Sequence, residues 1–326
     1  MNKKIIRVIQ KDESLMNLTW VVNNICNNRC SYCIPDLNSG MGHHYSWDNA
    51  QKFLEILFER YPKIHCAVSG GEPSMSEFFP DLVKTFNLAG HTIGVTSNAF
   101  KPLEFWQYIS KYLYYICFSY HPEFPAKDFR EKAISSSLNT FVTVRVMMFP
   151  SKWDHCMEVF NSLKDIDTIL VEPVRVLDWS QKDRTSFVYT KEQSDWFETE
   201  EALIPHKKSL PHIIERGEPV ELQSMFQFDD LSVAADQDVN PVQFINSGMT
   251  NFRGYVCEIG LKSLFVHYNG KITLGNCAVG GSIGEIENFE NIVWPTKPVI
   301  CKKDICHCAT DVNINKWVRN YNRIYG

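Results

Sequence analysis

The chain has 326 residues, 44% of them hydrophobic and 22% charged, which suits a globular protein with a sizeable core and excludes a disordered or fibrous one. Its 33 basic and 38 acidic residues leave a net charge of -5, so there is no bulk basic footprint and no nucleic-acid partner is expected. No apolar run approaches the roughly 18 residues of a membrane span, and Arg7, Gln10, Lys11 and Asp12 interrupt any signal-like apolar stretch, so a cytoplasmic location without a membrane partner is expected.

In chain order, β-rich runs over 18–25, 64–68, 92–96, 115–119, 141–148 and 168–171 alternate with amphipathic helical patterns over 47–60, 77–88, 103–112, 127–138 and 155–163. Strand–helix alternation predicts a parallel sheet with crossover helices. Six strands do not close an eight-stranded barrel, so the α/β fold expected for residues 1–176 is a partial (β/α)6 TIM-type barrel, with functional groups at the C-terminal ends of its strands. Residues 177–252 break the rhythm with Pro205, Pro211, Pro219 and Pro241 and with Asp229, Asp230, Asp236 and Asp238, and read as a bridging region. Residues 253–326 read as a small cysteine-rich α+β domain, in which two alternating runs around Asn269-Gly270 signal a β-hairpin.

Eleven cysteines in a reducing compartment read as metal ligands plus a few core thiols rather than as disulfides. Cys66, Cys117 and Cys156 lie singly in apolar segments and are expected in the core. Cys26, Cys30 and Cys33 are different: three thiolates spaced x3 and x2 after the first strand can wrap an iron–sulfur cube and leave one of its four irons without a protein ligand. A structural zinc site would need a fourth ligand, for which His43 and His44 are the local candidates. Directly after the second strand comes Ser69-Gly70-Gly71-Glu72-Pro73, where paired glycines allow a sharp turn and close backbone approach. Taken alone this reads first as an ordinary strand-to-helix turn capped by Ser74 or Ser76.

Together, Cys26-x3-Cys30-x2-Cys33, with Tyr32 before the last cysteine, and Gly70-Gly71-Glu72-Pro73 resemble the radical S-adenosylmethionine (radical SAM) superfamily over residues 18–176. The resemblance implies that SAM chelates the open iron and is reductively cleaved to a 5′-deoxyadenosyl radical, which abstracts a hydrogen atom from a substrate. It assigns Cys26, Cys30 and Cys33 to the cluster, Gly70, Gly71 and Glu72 to the methionine amino group and Tyr32 to the adenine. Ser97 and Asn98 match the motif that contacts ribose, Ser119 ends the fourth strand as a polar pocket group, and Arg145 could pair with the SAM carboxylate. A turn at Ser97-Asn98 and a salt-bridged strand position for Arg145 are the plain alternatives. His121 is a candidate acid/base group, and Glu172, Arg175 and Asp178 candidate pocket lining.

Cys257, Cys277, Cys301, Cys306 and Cys308 resemble the SPASM/twitch extensions of radical SAM enzymes, which implies an auxiliary four-iron cluster held by four of the five. A zinc site is the rival, and His307 could replace a cysteine. The activity implied is that of a radical SAM oxidoreductase or maturase acting on a peptide residue or a sugar-like small molecule, supplied with electrons by a donor such as flavodoxin or ferredoxin. The alternative is a non-catalytic zinc or iron–sulfur module on an α/β scaffold. A glycyl-radical-activating protein would carry ferredoxin-type cysteine runs after the first motif, and none occurs between Cys33 and Cys257 apart from the single thiols.

Overall fold

A computed structural model describes residues 3–38, 40, 45–178, 187–203, 224–235, 244–245 and 247–324. Two compact units divide it: Met1–Trp20, His44–Cys66 and Pro219–Gly326 form one, and Val21–His43 with Ala67–Glu218 the other. The divisions fall inside two strands, β2 (Leu15–Val21) and β3 (Lys63–Ser69).

The second unit carries the barrel strands. From β3 the order runs through β4 (Thr92–Ser97), β5 (Tyr115–Tyr120), β6 (Phe141–Met147) and β7 (Ile169–Val174). The pairs β4–β5, β5–β6 and β6–β7 are all parallel, in registers such as Val95↔Ile116, Phe118↔Val144 and Val144↔Val171. Helices α2 (Phe79–Leu88), α3 (Leu103–Ile109), α4 (Phe129–Ser137) and α5 (Trp153–Leu163) make the crossovers. Their apolar stripes bury Phe79, Leu82, Val83 and Phe86, Trp106 and Ile109, Phe129 and Ala133, and Cys156, Phe160 and Leu163. Trp106 meets Phe118 edge-on at 4.8 Å, so the helix layer keys into the sheet. Among the described residues the strand order ends at β7 without closing, as in an incomplete barrel, and the strand–helix rhythm of the sequence corresponds to the fold observed.

The other unit holds two sheet portions. In the first, the order β13-β12-β11-β2-β3 joins β11 (Ser263–Val266), β12 (Lys271–Thr273) and β13 (Ser282–Glu285) to the N-terminal parts of β2 and β3. β11 and β12 are the two arms of the Asn269-Gly270 hairpin, with Gly270 at φ +81°, the backbone region that favours glycine in such a turn. Helix α1 (Trp47–Arg60) buries Ala50, Phe53, Leu54 and Leu57, and its N-cap Ser46 accepts from the Asn49 N–H. Trp20 lies fully buried against Phe53 and donates its indole N–H to the Tyr45 hydroxyl at 2.8 Å.

The second sheet is antiparallel, in the order β14-β10-β15-β1-β8-β9. It contains a strand that sequence patterning did not single out, β1 (Ile5–Gln10), together with β8 (Ser224–Phe228), β9 (Val233–Ala235), β10 (Val256–Cys257), β14 (Val299–Ile300) and β15 (Lys316–Trp317). β8 and β9 arise from the stretch read as bridging, whereas Pro205, Pro211, Pro219, Pro241, Asp236 and Asp238 lie outside the described residues. Ile5, Val8, Phe226, Phe228, Phe244, Phe252, Tyr255 and Cys306 form one buried apolar cluster under this sheet. Among the described residues no helix is long and apolar enough to cross a membrane.

Candidate functional site

The cysteine loop begins where β2 ends, and the glycine turn after β3 holds its entrance. Val22 N–H donates to Ser69 O at 3.0 Å, Gly71 N–H to Asn23 O at 3.0 Å and Glu72 N–H to Ile25 O at 2.7 Å, while Asn23 Nδ2 donates to Glu72 O at 3.0 Å. The two stretches are so close that side chains cannot fit between them. A Cβ on Gly70 would lie 2.7 Å from Asn23 O, and one on Gly71 would lie 2.3 Å from Ile25 O. The glycine pair is therefore required by backbone approach, and it fixes the residue immediately before Cys26.

Within the loop, Cys33 N–H closes a turn onto Cys30 O at 3.1 Å. Arg29 folds back to donate to Cys26 O at 2.6 Å and Asn28 O at 3.0 Å. The loop tip is pinned from the end of β5: Ser31 N–H and Oγ donate to Glu123 Oε2 at 2.8 and 3.1 Å. The Tyr32 hydroxyl lies 3.1 Å from His121 Nδ1, and the two rings stack at 5.9 Å. Burial holds the His121 ring down to about 4, so it is neutral around pH 7.

Cys26, Cys30 and Cys33 are half-buried, in contrast to the core thiols Cys66, Cys117 and Cys156, which are buried as the sequence led one to expect. The three loop thiols sense one another's charge, with Cys33 acting on Cys26 and both acting on Cys30. Burial is the larger cause and pushes the Cys30 thiol up to about 12; such a thiol is deprotonated when it binds a metal. Among the described residues no three His, Cys, Asp or Glu side chains form a group that could hold a metal ion. A cube with separate iron corners makes no demand that its ligands converge on one point. Three half-exposed thiols on one short loop, with an N–H already directed at one sulfur, fit such a group (Asn28 N–H to Cys26 Sγ, 3.4 Å). His43 and His44, the candidate completing ligands of a zinc site, lie outside the described residues.

Glu72 is fully buried, and both of its carboxylate oxygens are occupied within the protein. Oε1 accepts from Ser74 N–H at 3.0 Å, Ser74 Oγ at 2.6 Å and Ser97 Oγ at 2.8 Å; Oε2 accepts from Asn98 N–H at 2.7 Å. Burial pushes this carboxyl above its ordinary range and the four donors pull it back. The side chain thus buckles the end of β3 to the end of β4, bringing Ser97 and Asn98 beside the cysteine loop. Ser97 is buried with its hydroxyl turned onto Glu72, and neither Ser74 nor Ser76 is a helix N-cap: Glu72 caps the short turn Pro73–Met75 by accepting from Ser74 N–H, and Phe78 precedes α2.

Ser119 lies buried near the end of β5, in register with Arg145 of β6. Arg145 in turn sits in register with Glu172 of β7, and its Nε donates to Glu172 Oε2 at 2.8 Å. The guanidinium is therefore in a strand-to-strand ion pair, the plain alternative for this residue. Arg175 is likewise engaged, donating to Ser194 O at 3.1 Å and lying 4.2 Å over the Phe197 ring. Asn28, Glu123 and the backbone of Asn23 and Ile25 were not singled out in the sequence. Only the short separation of Asn28 from Cys26 could have marked any of them.

The late cysteines all lie in the unit containing β10 and β15. Cys257 on β10 faces Lys316 on β15 in register and is buried, as is Cys306; Cys277, Cys301 and Cys308 are half-buried. The Cys301 charge acts on Cys257, those of Cys257 and Cys301 act on Cys277, and those of Cys257 and Cys277 act on Cys306, in each case behind burial as the larger cause. Asp311 is buried beside them and accepts the Cys277 N–H at 3.0 Å. The Lys316 ammonium is also buried, donating to Asp311 O at 2.6 Å and to Val312 O and Ile314 O at 2.7 Å each. His307, between two of these cysteines, is exposed.

A GTP 3',8-cyclase of Yersinia pestis is 30% identical over 90 residues, covering 24% of this chain and 26% of that protein. The corresponding enzyme of Pectobacterium atrosepticum is 29% identical over 90 residues with the same coverage. The match thus spans about a quarter of the length of these curated relatives. Among solved structures, Streptococcus suis SuiB bound to precursor peptide SuiA superposes with a TM-score of 0.50 at 13% identity, covering 86% of this chain and 64% of that one. A hexahistidine-tagged anSMEcpe with bound AdoMet does so with a TM-score of 0.50 at 15% identity, covering 84% of this chain and 75% of that one. At these identities the likeness is one of fold. The Radical SAM superfamily profile matches residues 20–166, the stretch that contains the cysteine loop, the glycine turn and strands β3 to β6, so it is this segment that is similar to the radical SAM superfamily.

Proposed function

We propose that the chain is a radical SAM enzyme in which Cys26, Cys30 and Cys33 hold a four-iron cluster and SAM completes the fourth iron. The observation that carries the reading is the clamp between Asn23–Ile25 and Gly70–Glu72, which sets a three-cysteine loop at the C-terminal ends of parallel strands. When bound, a reduced cluster with SAM supplies the radical that removes a hydrogen atom from a substrate. The chain's own residues hold and shield that chemistry. Gly70 and Gly71 keep the loop entrance against the turn and leave backbone groups for the SAM amino end. Tyr32, stacked on His121 and against Phe149 at 5.3 Å, offers an aromatic wall for the adenine. Ser97 and Ser119 line the strand ends as further SAM contacts, and Glu72 serves by fixing Ser97 and Asn98. Arg145 reaches a SAM carboxylate only by leaving Glu172.

Four of Cys257, Cys277, Cys301, Cys306 and Cys308 hold an auxiliary cluster in this reading, all five lying in one unit with Cys257 and Cys306 buried and the other three half-buried. That cluster accepts an electron from the substrate or binds it. The substrate is a peptide residue or a sugar-like molecule, and a small acidic donor of the flavodoxin or ferredoxin kind supplies the electron. The test is anaerobic reconstitution followed by reduction with dithionite in the presence of SAM. About eight irons per chain, from two four-iron clusters, and formation of 5′-deoxyadenosine support the reading. Cys30→Ala must abolish that product. Cleavage that persists in Cys30→Ala contradicts the assignment, and a zinc-loaded protein without SAM cleavage restores the scaffold alternative.

A further inference from the structure

We propose that Asn98 is a positioning residue that sets the reduction potential of the cluster on the cysteine loop, by donating an N–H···S bond from its carboxamide to the Cys26 sulfur. This rests on the reading of Cys26 as a cluster ligand, and assigns Asn98 to the cluster rather than to the SAM ribose. Asn98 Nδ2 lies 3.7 Å from Cys26 Sγ and 2.9 Å from Asn27 Oδ1, so its two hydrogens have two acceptors on the loop. The orientation of the amide is fixed from the other side, because Oδ1 accepts the Phe100 N–H at 3.0 Å. Turning the amide over would set its oxygen against Asn27 Oδ1 and the sulfur, and its N–H2 against the Phe100 N–H. The backbone beneath it is fixed as well: the Asn98 N–H ends on the buried Glu72 carboxylate at 2.7 Å. Asn98 is itself buried, which limits competition from water.

A thiolate ligating an iron cluster carries more negative charge when the cluster is reduced. A fixed N–H donor stabilises that form more than the oxidised one and raises the potential, as hydrogen bonds to cluster sulfurs do. Asn28 N–H makes a second bond to the same sulfur at 3.4 Å, but it is backbone and survives side-chain substitution. Removing the Asn98 amide therefore removes one of two donors to a single ligand and makes the cluster harder to reduce.

The experiment is an anaerobic potentiometric titration of reconstituted full-length protein, following the EPR signal that responds to SAM, for wild type, Asn98→Leu, Asn98→Asp and Asn27→Ala. Asn98→Leu is expected to lower the reduced-to-oxidised ratio at the wild-type midpoint about tenfold, a shift of about 59 mV for a one-electron couple. Asn98→Asp keeps the Phe100 bond and places a negative oxygen toward the sulfur, so it shifts the potential further in the same direction. Asn27→Ala leaves the amide-to-sulfur bond and changes the ratio less than twofold. Potentials of both Asn98 variants within twofold of wild type, or a shift to higher potential, overturn the proposal. So does loss of iron from both variants in folded protein, which would make Asn98 an assembly residue. A wild-type protein without any SAM-responsive signal overturns the proposed function instead, so the two failures are told apart.

Discussion

Replacing Glu72 with glutamine tests whether this carboxylate is a structural buckle or a ligand-facing group. Glutamine keeps the shape and retains one oxygen, which can go on accepting from Ser74 N–H, Ser74 Oγ and Ser97 Oγ. Its N–H2 group then faces the Asn98 N–H, which in the native protein donates to Oε2 at 2.7 Å. One bond to a charged acceptor is lost, about 1.5–3 kcal/mol, and a buried N–H is stranded, about 1–3 kcal/mol. These overlap in part, since the first includes some of the second, and a destabilisation of about 3 kcal/mol is expected. The assay is urea unfolding of the metal-free protein without SAM, where ligand binding makes no contribution. Glu72→Gln within about 0.5 kcal/mol of wild type, with SAM binding lost on reconstitution, would refute the buckle and place the carboxylate on the ligand.

Gly71→Ala is expected to push the loop entrance aside, because its Cβ would meet Ile25 O at 2.3 Å and Leu37 O at 2.7 Å, both backbone atoms that cannot swing away. Reconstituted Gly71→Ala should bind about four fewer irons per chain than wild type, one cluster's worth, in an iron assay; full iron content would show that the close approach is dispensable. Stability should fall with pH below about 6.5, the ordinary histidine value, because burial holds His65 and His121 down to about 4. The unfolded chain then binds more protons than the folded one between those limits, so stability rises with pH across the window. From pH 7 to pH 5 each ring costs about 2 kcal/mol at most, and His121→Asn should remove its share of that slope in urea titrations of the metal-free protein. An unchanged slope would mean that the ring charges freely in the fold.

The barrel was legible because parallel strands buried on both faces read as apolar runs, and helices with 3.6-residue stripes separate them. The run at 141–148 is β6 with its exposed Arg145, and the hairpin at Asn269-Gly270 stands where the turn dipeptide put it. β1 was not legible: Ile5-Ile6-Arg7-Val8-Ile9-Gln10 is short, and its partners β8 and β15 lie more than 200 residues away, a pairing that local patterning cannot register. β10, β14 and β15 are two residues each and carry no periodic signal at all. At the site, cysteine spacing and the glycine pair picked out two segments that the fold brings into contact. What spacing could not give was direction: Glu72 turns inward onto Ser74, Ser97 and Asn98, and Arg145 turns onto Glu172. Those choices depend on which donors the neighbouring strands present, and the neighbours are fixed only by the fold.

The most direct test of the central claim is the EPR spectrum of the dithionite-reduced, anaerobically reconstituted protein before and after SAM is added. An iron left open by Cys26, Cys30 and Cys33 must take SAM as a ligand, so the spectrum of that cluster changes on addition, and the change is absent in Cys26→Ala and present in Cys308→Ala. A reduced cluster at the cysteine loop whose spectrum is indifferent to saturating SAM would contradict the account.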